Sequence, residues 1–184
     1  TLNKKLNEDL SNFNDQSIVL PLGKVKITRK VKSLLIIFRT NTSVEIWDQN
    51  KKRLFEYPKI EYATRSLNSL IKSIKFLRQQ LPEIKLKLII LDDHSSKENL
   101  EIIKKISERE KSSEIISLDH KKYESLIKEQ KSNETFSNLS SLLNSFEIGK
   151  NQGDDLVFFV EDDYLHFETM LEEMLLSFQR ISSQ

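Results

Sequence analysis

Short aliphatic runs bounded by polar residues recur along the chain and predict β-strands. The clearest runs lie at residues 33–39 (SLLIIFR), 85–91 (KLKLIIL) and 155–160 (DLVFFV), and a shorter one lies at 114–118. Continuous apolar runs of this length are typical of strands that are buried on both faces of a parallel sheet. The sequence therefore predicts a sheet that contains four such strands.

Between these runs, apolar residues recur three and four positions apart, which is the period of an amphipathic helix. The first such stripe covers residues 67–81 and should end at Pro82. A second helix should begin at Ser95, because Ser95 and Glu98 form a capping-box pattern. The remaining stripes cover residues 136–146, ending near Gly149, and residues 170–181.

The alternation of strands and helices predicts an α/β fold that is Rossmann-like, with a mostly parallel sheet and flanking helices. Residues 33–184 make up this predicted domain. Residues 1–32 are predicted to be an N-terminal appendage, in which the alternation of Val25, Ile27 and Val31 suggests a short edge strand. Residues 42–62 carry two apolar pieces around a polar turn, which is consistent with a hairpin insertion.

Composition and charge exclude several functional classes. The 184 residues carry a formal net charge of +1, which argues against a nucleic-acid partner bound by bulk phosphate neutralisation. The absence of cysteine excludes disulfides, thiolate metal sites and a cysteine nucleophile. No transmembrane segment is expected, since no apolar run approaches the roughly 20 residues that a spanning helix needs. We expect a cytoplasmic protein, either free or peripheral to a membrane, and its oligomeric state is left open.

Carboxylates follow two of the predicted strands directly, as Asp92-Asp93 and Glu161-Asp162-Asp163. The carboxyl ends of parallel strands share one edge of the sheet, so these side chains should repel one another unless cations or hydrogen-bond donors offset their charge. A divalent ion with hard oxygen ligands, Mg²⁺ or Mn²⁺, would do so. The first pair could instead accept hydrogen bonds from a nucleoside. The simplest alternative is that these residues cap helices or lie in loops.

The segments LIIFRTN, KLIILDDHSS, NLSSLLNSFEIGK and DDLVFFVEDDYLH resemble, in this order, the motifs of family 2 glycosyltransferases with the GT-A fold. The resemblance covers residues 33 to about 180 and is most specific where the two acidic clusters follow their strands. It implies a domain that binds a nucleotide-sugar donor and transfers the sugar to a glycan, lipid or protein acceptor.

The resemblance also implies three groups of ligand-binding residues. Five residues after the first two strands would bind the nucleoside: Arg39, Thr40, Asn41, Asp92 and Asp93. Asn138 and Asp162 would contact the donor. Glu161 and Asp163 would hold Mn²⁺ or Mg²⁺ on the diphosphate. The sequence stops one helix after the acidic triplet, where this family usually places its acceptor half and catalytic base. No catalytic base is therefore assigned, and we expect donor binding with little transfer.

Two other interpretations compete with this one. The chain could be a non-catalytic or truncated nucleotide-binding or interaction module of the same fold. A receiver-type phosphoacceptor domain also has acidic residues after its strands, but its two sites lie much closer in sequence than Asp93 and Asp163. The histidines His94, His120 and His166 are interpreted as loop residues. Among them, His166 is the best placed to reach a metal, because it lies three residues after Asp163.

Overall fold

The computed structural model describes residues 26–43, 57–127 and 132–183. Its four strands form one all-parallel sheet in the order β3-β2-β1-β4. The strands are β1 (Ser33–Thr40), β2 (Lys85–Asp92), β3 (Ser113–Ser117) and β4 (Leu156–Glu161). The helices are α1 (Lys59–Gln80), α2 (Lys97–Ser107), α3 (Asn133–Gln152) and α4 (Met170–Ile181), with a 3-10 helix η1 (His120–Tyr123) after β3. The predicted α/β, Rossmann-like fold class is confirmed.

The core lies on both faces of the central strand β1. Leu34, Ile36 and Phe38 pack on one face with buried residues of α1, α2 and α4, and Leu35 and Ile37 pack on the other face beside η1 and α3. Successive side chains of a strand point to opposite faces, so one continuous apolar run supplies both layers. This arrangement explains why the run at 33–39 shows no polar alternation.

Helix α1 begins at Lys59, earlier than its apolar stripe suggested. The prediction of a hairpin insertion is therefore wrong for residues 59–62, which form the first turn of α1. Ile60 packs against the core and Ala63 is buried, so the apolar face of the helix already starts here. Residues 44–56, which make up most of the predicted insertion, lie outside the described residues.

The N-cap of the second helix lies one residue later than the predicted Ser95, and the helix begins at Lys97. The side chain of Ser96 accepts a hydrogen bond from the backbone N–H of Asn99 (3.2 Å) and is the N-cap of α2. Ser95 is engaged elsewhere, because its hydroxyl oxygen accepts from the N–H of Thr42 (3.1 Å) and its own N–H donates to Asp92 (3.2 Å). The loops after β1 and β2 are thus joined directly.

Helix α3 continues past Gly149 to Gln152 and ends at Gly153. A Cβ atom on Gly149 would lie 3.3 Å from side-chain atoms of both Val157 and Phe159. The sequence predicts that the helix ends near Gly149. In the structure this glycine instead allows α3 to pack closely against β4.

The stretch before β1 forms no strand over residues 26–32, so the predicted edge strand is not present there; Val25 lies outside the described residues. Its backbone N–H groups bond to side chains instead of to another strand. The N–H of Val31 donates to Gln179 (2.9 Å), and the N–H of Lys32 donates to Asp155 (2.8 Å), which also pairs with Arg29. Residues 29–32 are thereby fixed along α4 and the start of β4.

None of the described helices combines the length and the apolar character that crossing a bilayer would require.

Candidate functional site

The carboxyl ends of β1, β2 and β4 meet at one edge of the sheet, which we call the rim. Thr40 is level with Asp92 on β2, and Arg39 is level with Glu161 on β4. The residues that follow β1 therefore lie between the two acidic clusters. In open parallel sheets this edge, beside the point where the strand order reverses, is the usual ligand-binding position.

Asp162 points into the protein and is a structural residue as well as a predicted ligand contact. One carboxylate oxygen accepts hydrogen bonds from the Thr40 hydroxyl (3.0 Å) and from the N–H of Asn41 (3.3 Å). The other oxygen pairs with the ammonium group of Lys59, and both side chains are largely buried. Lys59 was missed at the sequence level because it falls in the segment assigned to the hairpin insertion.

The other two acidic residues of the triplet differ in their surroundings. Glu161 is half exposed and forms an ion pair with Arg39, whose second terminal nitrogen donates to the side-chain oxygen of Asn138 (3.3 Å). Asp163 is exposed and makes no hydrogen bond or ion pair with any other described residue. Within the described ranges the triplet therefore does not converge on one point, and Asp163 is its open carboxylate.

Asp92 is buried at the end of β2. One of its oxygens accepts from the N–H of Ser95 (3.2 Å), and the other has no hydrogen-bond partner. Burial raises the pKa of Asp92 above its ordinary value, although the hydrogen bonds from Ser95 oppose the shift.

Asp93 is the most highly connected residue of the rim, and its side chain is only 5% exposed. One carboxylate oxygen, Oδ2, accepts hydrogen bonds from the amide of Asn41 (3.1 Å) and from the hydroxyl of Ser137. The other oxygen, Oδ1, lies 2.6 Å from Nε2 of His120 and 3.0 Å from Nδ1 of His94. Four side chains from different segments therefore surround one buried carboxylate.

Asp93, His94 and His120 form a group that could hold a metal ion, since one ligand atom from each lies within 4.8 Å of the others. His94 lies in the loop after β2 with a φ of 59°, and its carbonyl accepts from the hydroxyl of Ser43 (2.6 Å). His120 is the first residue of η1, and its ring packs edge-on against Phe136. The group is open to solvent on the His94 side.

The sequence interpretation treated these two histidines as loop residues and favoured His166. In the structure His166 lies outside this group. Its N–H donates to the hydroxyl of Ser69 (3.0 Å), while its Nε2 is buried without a partner, and burial lowers the pKa of the ring. The order of the strands would have pointed to His120, because it closely follows β3, the strand beside β2.

The structure brings most of the predicted site residues into contact. Asn41 contacts both Asp93 and Asp162, and Arg39 contacts both Glu161 and Asn138. Asp163 stays apart from the others. The residues that sequence reasoning did not assign to the site are His94, His120, Lys59 and Ser137.

The chain was compared with protein families, with curated proteins and with solved structures. No family model matches it, and neither the curated proteins nor the solved structures contain a match. Functional conclusions therefore depend on the motifs in the sequence and on the geometry of the rim.

Proposed function

We propose that the rim binds a nucleotide-sugar and that the chain is the donor-binding domain of a glycosyltransferase. The observation that carries the proposal is the position of Asn41. Its amide donates to Asp93 after β2, and its backbone N–H donates to Asp162 after β4. A ligand at this point would meet both acidic clusters, as the resemblance to family 2 glycosyltransferases requires.

The nucleoside would be held on the β2 side of the rim. Asp93 would accept a hydrogen bond from a ribose hydroxyl or a base N–H in place of one of its present partners, and Asn41 offers both a donor and an acceptor. These groups are already oriented by mutual hydrogen bonds, so less side-chain freedom is lost when a ligand binds. Arg39 would supply positive charge towards the diphosphate from the end of β1.

The cation of this proposal is Mn²⁺ or Mg²⁺, and the carboxylate of Asp163 is the side chain that would bind it. Glu161 and Asp162 are already paired with Arg39 and Lys59, so the triplet is not a ready-made cage of three carboxylates. One open carboxylate is nevertheless sufficient for an ion that takes its other oxygens from phosphate and water. Such an ion would neutralise charge on the departing diphosphate.

One observation favours a second candidate, a non-catalytic nucleotide-binding module of the same fold. Lys59 and Arg39 neutralise two of the three carboxylates from within the protein, which lessens the electrostatic need for a metal. The two candidates differ in donor turnover. A glycosyltransferase should release nucleoside diphosphate from the donor, at least by slow transfer to water, and a binding module should not.

The proposal is tested by thermal unfolding with UDP, GDP and their sugar conjugates, each with Mn²⁺, with Mg²⁺ and with a chelator. A ligand present at about 100 times its dissociation constant stabilises the native state by about 2.7 kcal/mol, which is a readily measured rise in Tm. Asp163→Asn should remove the dependence on metal, and Asp93→Asn should weaken nucleotide binding even with the chelator present.

Glu168→Gln is the matched control, because Glu168 is an exposed carboxylate on the same segment as Asp163. It should behave like the parent protein. If no nucleotide raises Tm, the proposal fails. If a nucleotide binds but Asp163→Asn and Glu168→Gln respond equally to Mn²⁺, the assignment of the metal to Asp163 is wrong.

A further inference from the structure

We propose that Asp93, His94 and His120 form a binding site for a borderline divalent cation of the Zn²⁺ class. This site would be separate from the Mn²⁺ or Mg²⁺ position at Asp163. The inference goes beyond the proposed function, because it depends on imidazole ligands and not on a nucleotide.

The ligand atoms have the right chemistry for such an ion. Imidazole nitrogens suit Zn²⁺ and its neighbours among the transition metals, whereas Mg²⁺ and Mn²⁺ favour sites made of oxygen. Two histidines and one carboxylate also leave a fourth position free for water, as in zinc sites that keep an open coordination position. Solvent reaches this position from the side of His94, whose side chain is 63% exposed.

The geometry needs little adjustment. Zinc bonds of about 2.1 Å in a tetrahedral site place neighbouring ligand atoms about 3.4 Å apart. Oδ1 of Asp93 lies 2.6 Å from Nε2 of His120 and 3.0 Å from Nδ1 of His94. Both separations are within about 1 Å of the ideal value. The ligand nitrogens of the two histidines lie within 4.8 Å of each other, so these rings must approach somewhat on binding. Each imidazole would bind the ion through one nitrogen and carry its proton on the other.

The surroundings of Asp93 support the same conclusion. Asn41 and Ser137 donate to Oδ2 of Asp93, which leaves Oδ1 facing the two histidines. Hydrogen bonds of this kind orient a ligating carboxylate and are a regular part of metal sites. The left-handed backbone of His94 is a second feature, since it places the ring beside Asp93 in a conformation that few non-glycine residues adopt.

A bound ion would join the loop after β2 to the turn after β3. In the structure His94 and His120 both hydrogen-bond to Asp93, and the contact of His120 joins these two segments. The ion would replace those bonds with coordinate bonds and would bind the native state alone, because the three ligands come together only on folding. Its binding should therefore raise Tm by mass action.

The experiment is a Zn²⁺ titration of the whole chain after treatment with a chelator, with a chromophoric chelator as competitor and Co²⁺ absorption as a report on coordination. We expect one equivalent of Zn²⁺ and a rise in Tm. His94→Asn and His120→Asn should each weaken binding at least tenfold, because loss of outer-shell partners alone costs about 10- to 100-fold in affinity. Asn suits position 94, since it tolerates a positive φ.

Two controls make the result specific. His166→Asn removes the third imidazole of the chain, and Asp163→Asn removes the open carboxylate of the triplet; both should bind Zn²⁺ like the parent. The proposal is overturned if the parent binds no Zn²⁺, if neither cluster variant weakens binding, or if Asp163→Asn weakens it as much as they do. A thermal unfolding transition of His94→Asn that matches the parent's in the absence of Zn²⁺ shows that this exposed substitution leaves the fold intact. No nucleotide enters the Zn²⁺ assay, so a failure to bind Zn²⁺ leaves the proposed function standing. A failure to bind nucleotides likewise leaves the proposed Zn²⁺ site standing.

Discussion

Replacing Asp162 by alanine should destabilise the fold, whereas the same change at the neighbouring Asp163 should not. Asp162 accepts hydrogen bonds from Thr40 and Asn41 and pairs with Lys59, and its side chain is 8% exposed. Asp163 is exposed and makes no contact of this kind with the described residues. The pair of variants therefore separates a carboxylate that holds the rim together from one that is available to a ligand.

The expected magnitude follows from what the Asp162 variant leaves behind. Removing one partner of a buried ion pair typically costs about 3–5 kcal/mol, because the remaining charge is left buried. The side chain of Lys59 is 15% exposed and can turn towards water. We therefore expect a loss at the lower end of this range, about 3 kcal/mol. Asp163→Ala should change the free energy of unfolding by less than about 0.5 kcal/mol.

Urea unfolding measures the difference. With a slope of about 2 kcal/mol per molar urea, the midpoint for Asp162→Ala should fall by about 1.5 M relative to the parent. A double variant with Lys59→Met should lose less than the sum of the two single changes, because the two residues interact. Equal midpoints for Asp162→Ala and Asp163→Ala would refute the structural role of Asp162, and any loss of ligand binding in that variant would then reflect direct contact.

Two further predictions concern the pH dependence of stability. Burial raises the pKa of Asp92, so the parent loses stability as the pH rises above the unfolded value of 3.8 and the buried carboxyl must ionise. Asp92→Asn should therefore gain stability relative to the parent as the pH rises above about 4. A difference between the two urea midpoints that does not change with pH would contradict this. Burial lowers the pKa of His166, so the unfolded chain takes up the proton first as the pH falls below 6.5; the parent should lose stability there, and His166→Gln should lack that part of the loss in thermal melts.

The sheet could be predicted from sequence because its central strands are buried on both faces. All five residues of the run Leu34–Phe38 are at most 3% exposed, so the run is unbroken and easy to recognise. The start of α1 could not be predicted in the same way. Pro58 precedes the helix without any side-chain capping bond, so the sequence has no capping pattern at this point.

The polar contacts of the rim were only partly predictable. Strand ends placed the acidic clusters together, as their registers confirm. The partners of those carboxylates come from distant segments, however. Lys59 lies 103 residues before Asp162, and His120 lies 27 residues after Asp93. Such pairs depend on how helices and turns cross the sheet edge, and no local period in the sequence encodes them.

The central position of β1 has a consequence for the order in which the rim forms. Asn41 meets Asp93 across 52 residues of chain, but Thr40 meets Asp162 across 122. Closing the longer loop costs about 0.8 kcal/mol more in chain entropy, so the β1–β2 contact should form before β4 docks.

The two halves of the rim would then act on different kinetic steps. The Asp93–His94–His120 group lies on the β2 side of the rim, which should form first. A cation bound there should mainly accelerate folding. A ligand held by the β4 side should mainly slow unfolding. Folding and unfolding rates measured with each ligand would reveal which side of the rim it occupies.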